Sequence, residues 1–184
     1  MPMKRIASLL LLLATIVSAQ AASGFLRNWE VDLWDGICFP ISSNNGGSTR
    51  AGYSLGFDFH YNFGKGPWNC GIAGQLDNAN RRFYPAGADR YTQRNRTASF
   101  TLTGGYNFRR GSMVNPFITI GTGVGFHQIR KSDESYTRSA SPVVIPKIGV
   151  ELWRCVKICA YSQISGKSYN TVGLSIGLNI GGHS

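Results

Sequence analysis

The chain has 184 residues, with 19 lysines and arginines against 9 aspartates and glutamates, so its formal net charge at pH 7 is +10. This length predicts one domain once an export signal is set aside. After the N-terminal segment, no apolar run approaches the roughly 20 residues of a transmembrane helix, which excludes a bundle of membrane-spanning helices.

The first 21 residues have the three parts of a secretory signal peptide. Lys4 and Arg5 are basic, residues 6–17 form a short apolar run, and Ala19-Gln20-Ala21 is a small-residue cleavage motif. We expect Sec-dependent export and cleavage after Ala21, which leaves residues 22–184 as the folded domain; an N-terminal helical anchor is the alternative. Export makes nucleic acid a poor partner despite the positive charge, and it permits disulfides.

The rest of the chain alternates large apolar residues with small or polar ones, which is the period-two pattern of a β-strand. The clearest case is AGYSLGFDFHYNF at 51–63. Pro146 predicts a bulge or a strand end, because proline cannot donate to a ladder. The faces of the seventh segment stay unassigned. The pattern predicts eight strands, at 26–36, 51–63, 67–77, 96–108, 116–128, 143–154, 157–165 and 169–181.

The connections between the predicted strands differ in length. Short ones are GKG, RRGSMVN, a turn near VKI (156–158) and GKS, whereas 42–50, 78–95 and 130–141 are longer and polar. With both termini at one end, all the short turns except GKS fall at that end and the long loops at the other. Short turns, long opposite loops and an even strand number are typical of a transmembrane barrel.

The apolar faces assigned to these strands contain no charged residue. This favours contact with lipid, because a basic side chain that faces lipid at mid-bilayer costs about 2–4 kcal/mol. We therefore expect the apolar faces to meet lipid and the polar faces to line the interior. A soluble, lipocalin-like barrel with the faces reversed is the alternative; the glycine-rich polar face and the aromatic residues near strand ends favour lipid. The predicted inward charges are Glu30, Asp32, Asp58, His60, Asp77, Lys147 and Glu151.

These segments resemble the small eight-stranded outer-membrane barrels of Gram-negative bacteria, both OmpA/OmpX-like barrels and the porin-like outer membrane protein beta-barrel domain families of Bacteroidota. The resemblance implies an all-β, antiparallel up-and-down transmembrane barrel with a closed or barely conducting interior. It also implies partners: outer-membrane lipid and lipopolysaccharide, periplasmic chaperones and the barrel assembly machinery. We expect no cofactor and no metal. The residues that carry the resemblance are YSLGFDFHYNF, ASFTLTGGYNF, NPFITIGTGVGF and NTVGLSIGLNIGG.

Two groups of residues are candidate sites. The first is a polar network inside the barrel, which we interpret as ion pairs that satisfy a packed interior, with a narrow proton or ion path as the alternative. It comprises Glu30, Asp32, Asp58, His60, Lys147 and Glu151.

The second candidate site is the predicted external loop between the third and fourth strands, in which Asp89 is the only acid. Arginine binds phosphate and carboxylate through paired hydrogen bonds, so this loop predicts binding of lipopolysaccharide or of an acidic surface partner. A solvated loop is the alternative. Its arginines are Arg81, Arg82, Arg90, Arg94 and Arg96, and Arg50, Arg130, Lys131 and Arg138 fall on the same predicted side.

The remaining reactive residues indicate no catalytic site. Cys155 and Cys159 flank the predicted VKI turn and form a candidate disulfide; free thiols in strands are the alternative. His127 is predicted to point inward, and the sequence offers no serine beside it on the lipid side. We therefore predict a structural or surface-interaction role, in membrane integrity, adhesion or binding. The alternatives are a narrow channel and, from another class, a lipid A-modifying enzyme.

Overall fold

A computed structural model describes residues 28–41, 48–83, 91–130, 136–166 and 169–182. The predicted signal peptide and Arg90 lie outside these residues. No helix in the described part of the chain has the length and apolar character needed to cross a membrane.

The described chain forms eight strands, and each pairs antiparallel with its neighbours in sequence. β8 also pairs with β1, which closes the sheet into a barrel. The predicted fold class and strand number are confirmed. The strands are β1 (Trp29–Pro40), β2 (Ser48–Asn62), β3 (Trp68–Phe83), β4 (Tyr91–Asn107), β5 (Val114–Arg130), β6 (Tyr136–Leu152), β7 (Val156–Gln163) and β8 (Thr171–Gly181).

β3 and β4 are longer than predicted and absorb most of the expected loop at 78–95. Their ladder continues from Trp68–Tyr106 up to Phe83–Tyr91, so only residues 84–90 lie between the two strands. The prediction failed because it followed apolar alternation, whereas pairing depends on the backbone and continues where both faces are polar. Arg81, Arg82, Arg94 and Arg96 are therefore strand residues and not loop residues.

The turn between β6 and β7 lies at 153–155, not at VKI, which is part of β7. Trp153 and Arg154 have φ values of 51° and 60°, and the Cys155 amide donates to the Leu152 carbonyl at 3.1 Å. A left-handed conformation at two residues other than glycine gives no sequence signal. Trp153 is 63% exposed in this turn.

Two further predictions concern Pro146 and the cysteines. Pro146 does not end β6, which pairs through it with Ile120 of β5. The ladder with β7 does break there, between Lys147–Tyr161 and a single Val144–Ile164 bridge, since proline has no amide to donate. The candidate disulfide is not formed. Cys155 is in the turn and Cys159 is the fourth residue of β7, so the extended stretch from Val156 to Cys159 alone spans about 10 Å at strand rise, whereas disulfide-bonded Cα atoms lie within about 7 Å of each other.

The two faces of the barrel have the predicted polarity. Large apolar side chains are exposed on the outer wall, and the buried set consists mostly of Ser, Thr, Asn, Gln and charged residues. A soluble barrel would have the reverse arrangement. In β7, whose faces the sequence left open, Lys157, Cys159, Tyr161 and Gln163 lie on the inward face.

One acidic residue of the described strands departs from this pattern. Asp35 lies on the exposed outer face in the middle of β1, paired with Leu55 of β2 and Ile176 of β8. Its neighbours along the same face of β1 are Leu33 and Ile37, which are also exposed. The outer apolar wall therefore carries a carboxylate at mid-strand, a position to which the sequence analysis assigned no face.

Candidate functional site

The inner wall near the short turns holds a cluster of opposite charges. Lys157 Nζ donates to Glu30 Oε1 and, at 2.7 Å, to Asp32 Oδ2. Asn62 Nδ2 donates to Glu30 Oε2 at 3.1 Å, and His60 Nδ1 lies 3.7 Å from Asp32 Oδ2. Lys157 is the central cation of this cluster, and the sequence analysis missed it because the faces of β7 could not be assigned.

Glu30, Asp32 and His60 also have the composition of a metal site, since their ligand atoms lie within 4.8 Å of one another. The Lys157 ammonium already contacts both carboxylates. A positive charge from the chain itself is thus already paired with both acids, and we assign this cluster as an ion-pair network.

A second buried ion pair lies higher in the barrel. Lys147 Nζ donates to both carboxylate oxygens of Asp58, at 2.8 and 2.9 Å, and lies 4.8 Å from the centre of the Trp34 ring. Glu151 forms a separate group, in which it accepts from Asn115 Nδ2 at 2.8 Å and from Asn179 Nδ2 at 3.3 Å. All six predicted interior residues are therefore buried inside the barrel, but in three groups.

Asp77 is a buried carboxylate whose described hydrogen-bond donors are all neutral. Ser54 and Gln75 donate to Oδ1 at 2.5 and 2.9 Å. Tyr161 also donates to Oδ1, at 3.2 Å, and Thr171 donates to Oδ2 at 2.6 Å. These bonds join β2, β3, β7 and β8 across the interior, and they replace the water that the carboxylate loses on burial.

The centre of the barrel is filled by side chains. An interior cavity of about 20 Å³ lies among Asp32, Trp34, Phe117 and Lys147. This is room for about one water molecule.

At the short-turn end, Arg110 Nη2 donates to the Gly182 carbonyl at 3.1 Å and Nη1 to the Gly66 carbonyl at 3.3 Å, which ties two turns and the end of β8 together. Burial lowers the pKa of Arg110, against the opposing effect of the Glu30 and Glu151 carboxylates.

His127 lies inside the opposite end, beside two serines that the sequence analysis did not connect with it. Its Nε2 is 2.8 Å from Ser141 Oγ and 2.6 Å from Ser165 Oγ, and its Nδ1 is 3.0 Å from Thr97 Oγ1. Among the described residues no carboxylate orients this imidazole, and the Ser165 amide already donates to Asn170 Oδ1 at 2.8 Å. The contacts resemble a nucleophile and base, but in the described part of the chain no acid orients the imidazole, and the Ser165 amide is not free to stabilise an oxyanion.

Exposed arginines gather on the outer wall at the end away from the short turns. The strand register places Arg96 opposite Gln128 and Gln128 opposite Arg138, and in the next outward row it places Arg94 opposite both Asn80 and Arg130. Across the β2–β6 wall that the structure describes, no acidic residue faces outward. We call this set the arginine band; it comprises Arg50, Arg94, Arg96, Arg130 and Arg138.

A shallow groove of about 660 Å³ lies in the outer wall directly beside this band. Two adjacent outward rows line it, a polar row that includes Arg96 and Arg138 and an apolar row nearer the short turns. We call this the wall groove; its apolar row is Leu55, Leu76, Ala98, Phe126 and Ala140.

The five arginines predicted for the external loop do not form one site. Arg94 and Arg96 belong to the arginine band, and Arg82 is half-buried beside Thr92 of β4. Arg81 lies on the inward face and is only 8% exposed. The structure instead joins Arg94 and Arg96 to Arg130 and Arg138, which come from two later strands.

Comparison with known proteins identifies the family. Residues 7–182 match the family described as outer membrane protein beta-barrel domain. The chain belongs to this family. The family is one of Gram-negative outer-membrane barrels, so the exposed apolar wall faces lipid. A search of curated proteins finds no match.

Solved structures of similar fold are distant in sequence. Neisserial surface protein A is 16% identical with a TM-score of 0.53, over 83% of this chain and 96% of that one. Ail of Yersinia pestis, solved with the heparin analogue sucrose octasulfate, is 15% identical with a TM-score of 0.47, over 83% and 99%. The N-terminal barrel of Pseudomonas aeruginosa OprF is 14% identical with a TM-score of 0.48, over 83% and 97%. At these identities the likeness concerns the fold alone.

Proposed function

We propose that this outer-membrane barrel binds the phosphorylated head groups of lipopolysaccharide through its arginine band. The observation that carries the proposal is the position of the band, on the lipid-facing wall and not in the barrel mouth. Arg96 and Arg138 face outward beside an apolar row that would lie in the acyl-chain region. Guanidinium groups at that boundary suit lipid phosphates, which they bind with paired, charge-assisted hydrogen bonds.

The outward residues of β4 support this placement. Toward the band, Leu102, Phe100 and Ala98 are followed by Arg96 and Arg94, and every one of them lies on the outward face. Each step of two residues covers about 6.6 Å of strand, so the wall changes from apolar to basic within one step. The anionic surface of a membrane leaflet would contact the protein at such a basic row, at the edge of the apolar wall.

The orientation of the barrel supports the outer leaflet as the source of the phosphate. Barrels of this class keep short turns on the periplasmic side and longer connections outside. The arginine band lies at the end whose connections have seven, seven, five and seven residues, against five, six and three residues at the other end. The filled interior, with its one-water cavity among Trp34, Phe117 and Lys147, favours this surface role over a narrow channel.

The test compares lipopolysaccharide retained by the barrel after mild detergent extraction from outer membranes. The variant replaces Arg94, Arg96 and Arg138 by Gln. The matched control replaces Lys65, Arg109 and Arg154, three exposed bases of the short turns, and so removes the same charge at the other end. We expect the first variant to lose most of the bound lipopolysaccharide phosphate and the control to keep it.

Equal retention by the two variants would contradict the proposal. An acidic surface polymer is the second class of partner that an arginine-rich surface suits, and binding of such a polymer predicts a different outcome. In that case lipopolysaccharide retention stays unchanged, while adhesion of whole cells to an acidic polysaccharide falls in the band variant alone.

A further inference from the structure

We infer that the wall groove holds an acyl chain of the same lipid whose phosphate the arginine band binds, so that the two together form one lipid site. This inference rests on the proposed function and adds to it the class of ligand, a phosphorylated lipid with a chain attached close to the phosphate. The volume of about 660 Å³ lies in the range of small-molecule sites, about 300–1,000 Å³.

The groove exists because two of its outward positions carry alanine. In the apolar row, Ala98 of β4 lies between Leu76 of β3 and Phe126 of β5, and Ala140 of β6 lies on the other side of Phe126. Leu76 and Phe126 are 48% and 55% exposed, so they stand out from the wall on either side of Ala98. Large and small side chains alternate across this row and leave gaps in the wall over Ala98 and over Ala140, which we call furrows. The furrow over Ala98 is short, because Phe100, the next outward residue of β4, is 60% exposed.

Each furrow begins at an arginine. Arg96 is two residues from Ala98 on the outward face of β4, and Arg138 is two residues from Ala140 on the outward face of β6. In both cases the guanidinium-bearing residue is on the side away from the short turns. A lipid with its phosphate at either arginine would place the first part of its chain over the neighbouring alanine.

The two contacts favour retention of one lipid over its neighbours in the leaflet. Any lipid covers an apolar wall, but only one with a phosphate and a nearby chain uses the band and the furrow at once. Linking two weak contacts in one molecule raises overall affinity, because the second contact forms at a high effective concentration. The groove thus predicts that binding depends on the acyl chain as well as on the phosphate.

The experiment fills the groove without changing the arginines. Ala98→Phe with Ala140→Phe occupies both furrows, and Ala98→Leu is a milder filling. Ala160→Phe, on the outward face of β7 away from the groove, is the matched control. A gel-mobility change on boiling checks that each variant is a folded barrel before it is used.

The probes are diphosphorylated lipid A and the same phosphorylated disaccharide without acyl chains, each titrated against the detergent-solubilised barrel. We expect A98F/A140F to bind lipid A about tenfold more weakly or worse, because buried methylene groups contribute to affinity. Its affinity for the disaccharide should not change, and A160F should behave as wild type. A98L should give an intermediate loss.

The outcomes separate the two proposals. If A98F/A140F binds lipid A as well as wild type does, the acyl-chain site is wrong while phosphate binding stands. If R96Q/R138Q binds both probes as well as wild type does, the proposed function is wrong, and any loss in A98F/A140F then reflects apolar contact alone. Loss of both probes in R96Q/R138Q, together with selective loss of lipid A in A98F/A140F, is the result that the combined site predicts.

Discussion

The buried pair of Lys147 and Asp58 gives the most direct prediction about what stabilises the interior. The lysine side chain is 6% exposed and the aspartate side chain 9%, and each is the other's only charged hydrogen-bond partner among the described residues. Removing one partner of a buried pair costs about 3–5 kcal/mol, because the remaining charge is left without compensation. Lys147→Met and Asp58→Leu should each lower the free energy of unfolding by about that amount.

The double variant K147M/D58L distinguishes the charge effect from simple loss of packing. It buries no charge, and replacing a buried pair by apolar residues is often neutral or stabilising. We therefore expect its stability to lie near that of wild type, which gives a coupling energy of about 3 kcal/mol or more between the two positions. Denaturant unfolding of the barrel in lipid vesicles measures this, with Lys65→Met in the β2–β3 turn as the exposed control. A double variant as unstable as the sum of the two single variants would refute the reasoning.

Three further predictions concern other parts of the barrel. Asp35→Leu should raise the free energy of unfolding in a bilayer, by less than the roughly 2–4 kcal/mol assigned to a lipid-facing base; a lower denaturant midpoint would instead mean that Asp35 has a stabilising partner in the membrane. The wild-type barrel should show no steady conductance in planar bilayers, since the space beside Trp34 holds about one water, and a reproducible open state would contradict the filled interior. Cys155 and Cys159 should both react with a thiol reagent in the protein unfolded without a reductant. If they react only after a reductant is added, they form a disulfide.

The apolar faces could be predicted from the sequence because lipid enforces them. Along β2, every outward position from Tyr53 to Tyr61 is apolar and every inward one from Ser54 to His60 is small or polar, so period two reports the face directly. Beyond the lipid-facing apolar part of the wall, outward residues no longer have to be apolar. The outward face of β3 and β4 becomes polar near Asn80 and Arg94, the alternation stops, and the prediction changed strand to loop while the backbone ladder continued.

The interior contacts could be predicted as a class but not as pairs. The sequence shows that Glu30 and Asp32 face inward, but not which cation reaches them. Lys157 is 127 residues from Glu30, and only closure of the barrel brings them together. Its strand also places small residues on both faces, with Cys159 inward and Ala160 outward, so alternation could not assign the lysine to the interior.

The arginine band illustrates the same limit on the candidate site. Sequence proximity grouped Arg81 and Arg82 with Arg94, whereas side-chain parity places Arg81 inside and Arg94 on the outer wall. Register then brings Arg130 beside Arg94, although they are distant in the sequence. A site made by register across three strands needs the strand offsets, which apolar alternation does not provide.

The measurement that tests the central claim most directly is mobility on SDS gels with and without boiling, made on the outer-membrane fraction of cells that express the full chain. A barrel with a lipid-facing apolar wall and a hydrogen-bonded interior should appear in that fraction, remain folded in SDS at room temperature, and change mobility only after boiling. A soluble periplasmic protein with the same mobility before and after boiling would contradict the account, because the exposed apolar wall would then have no lipid to face.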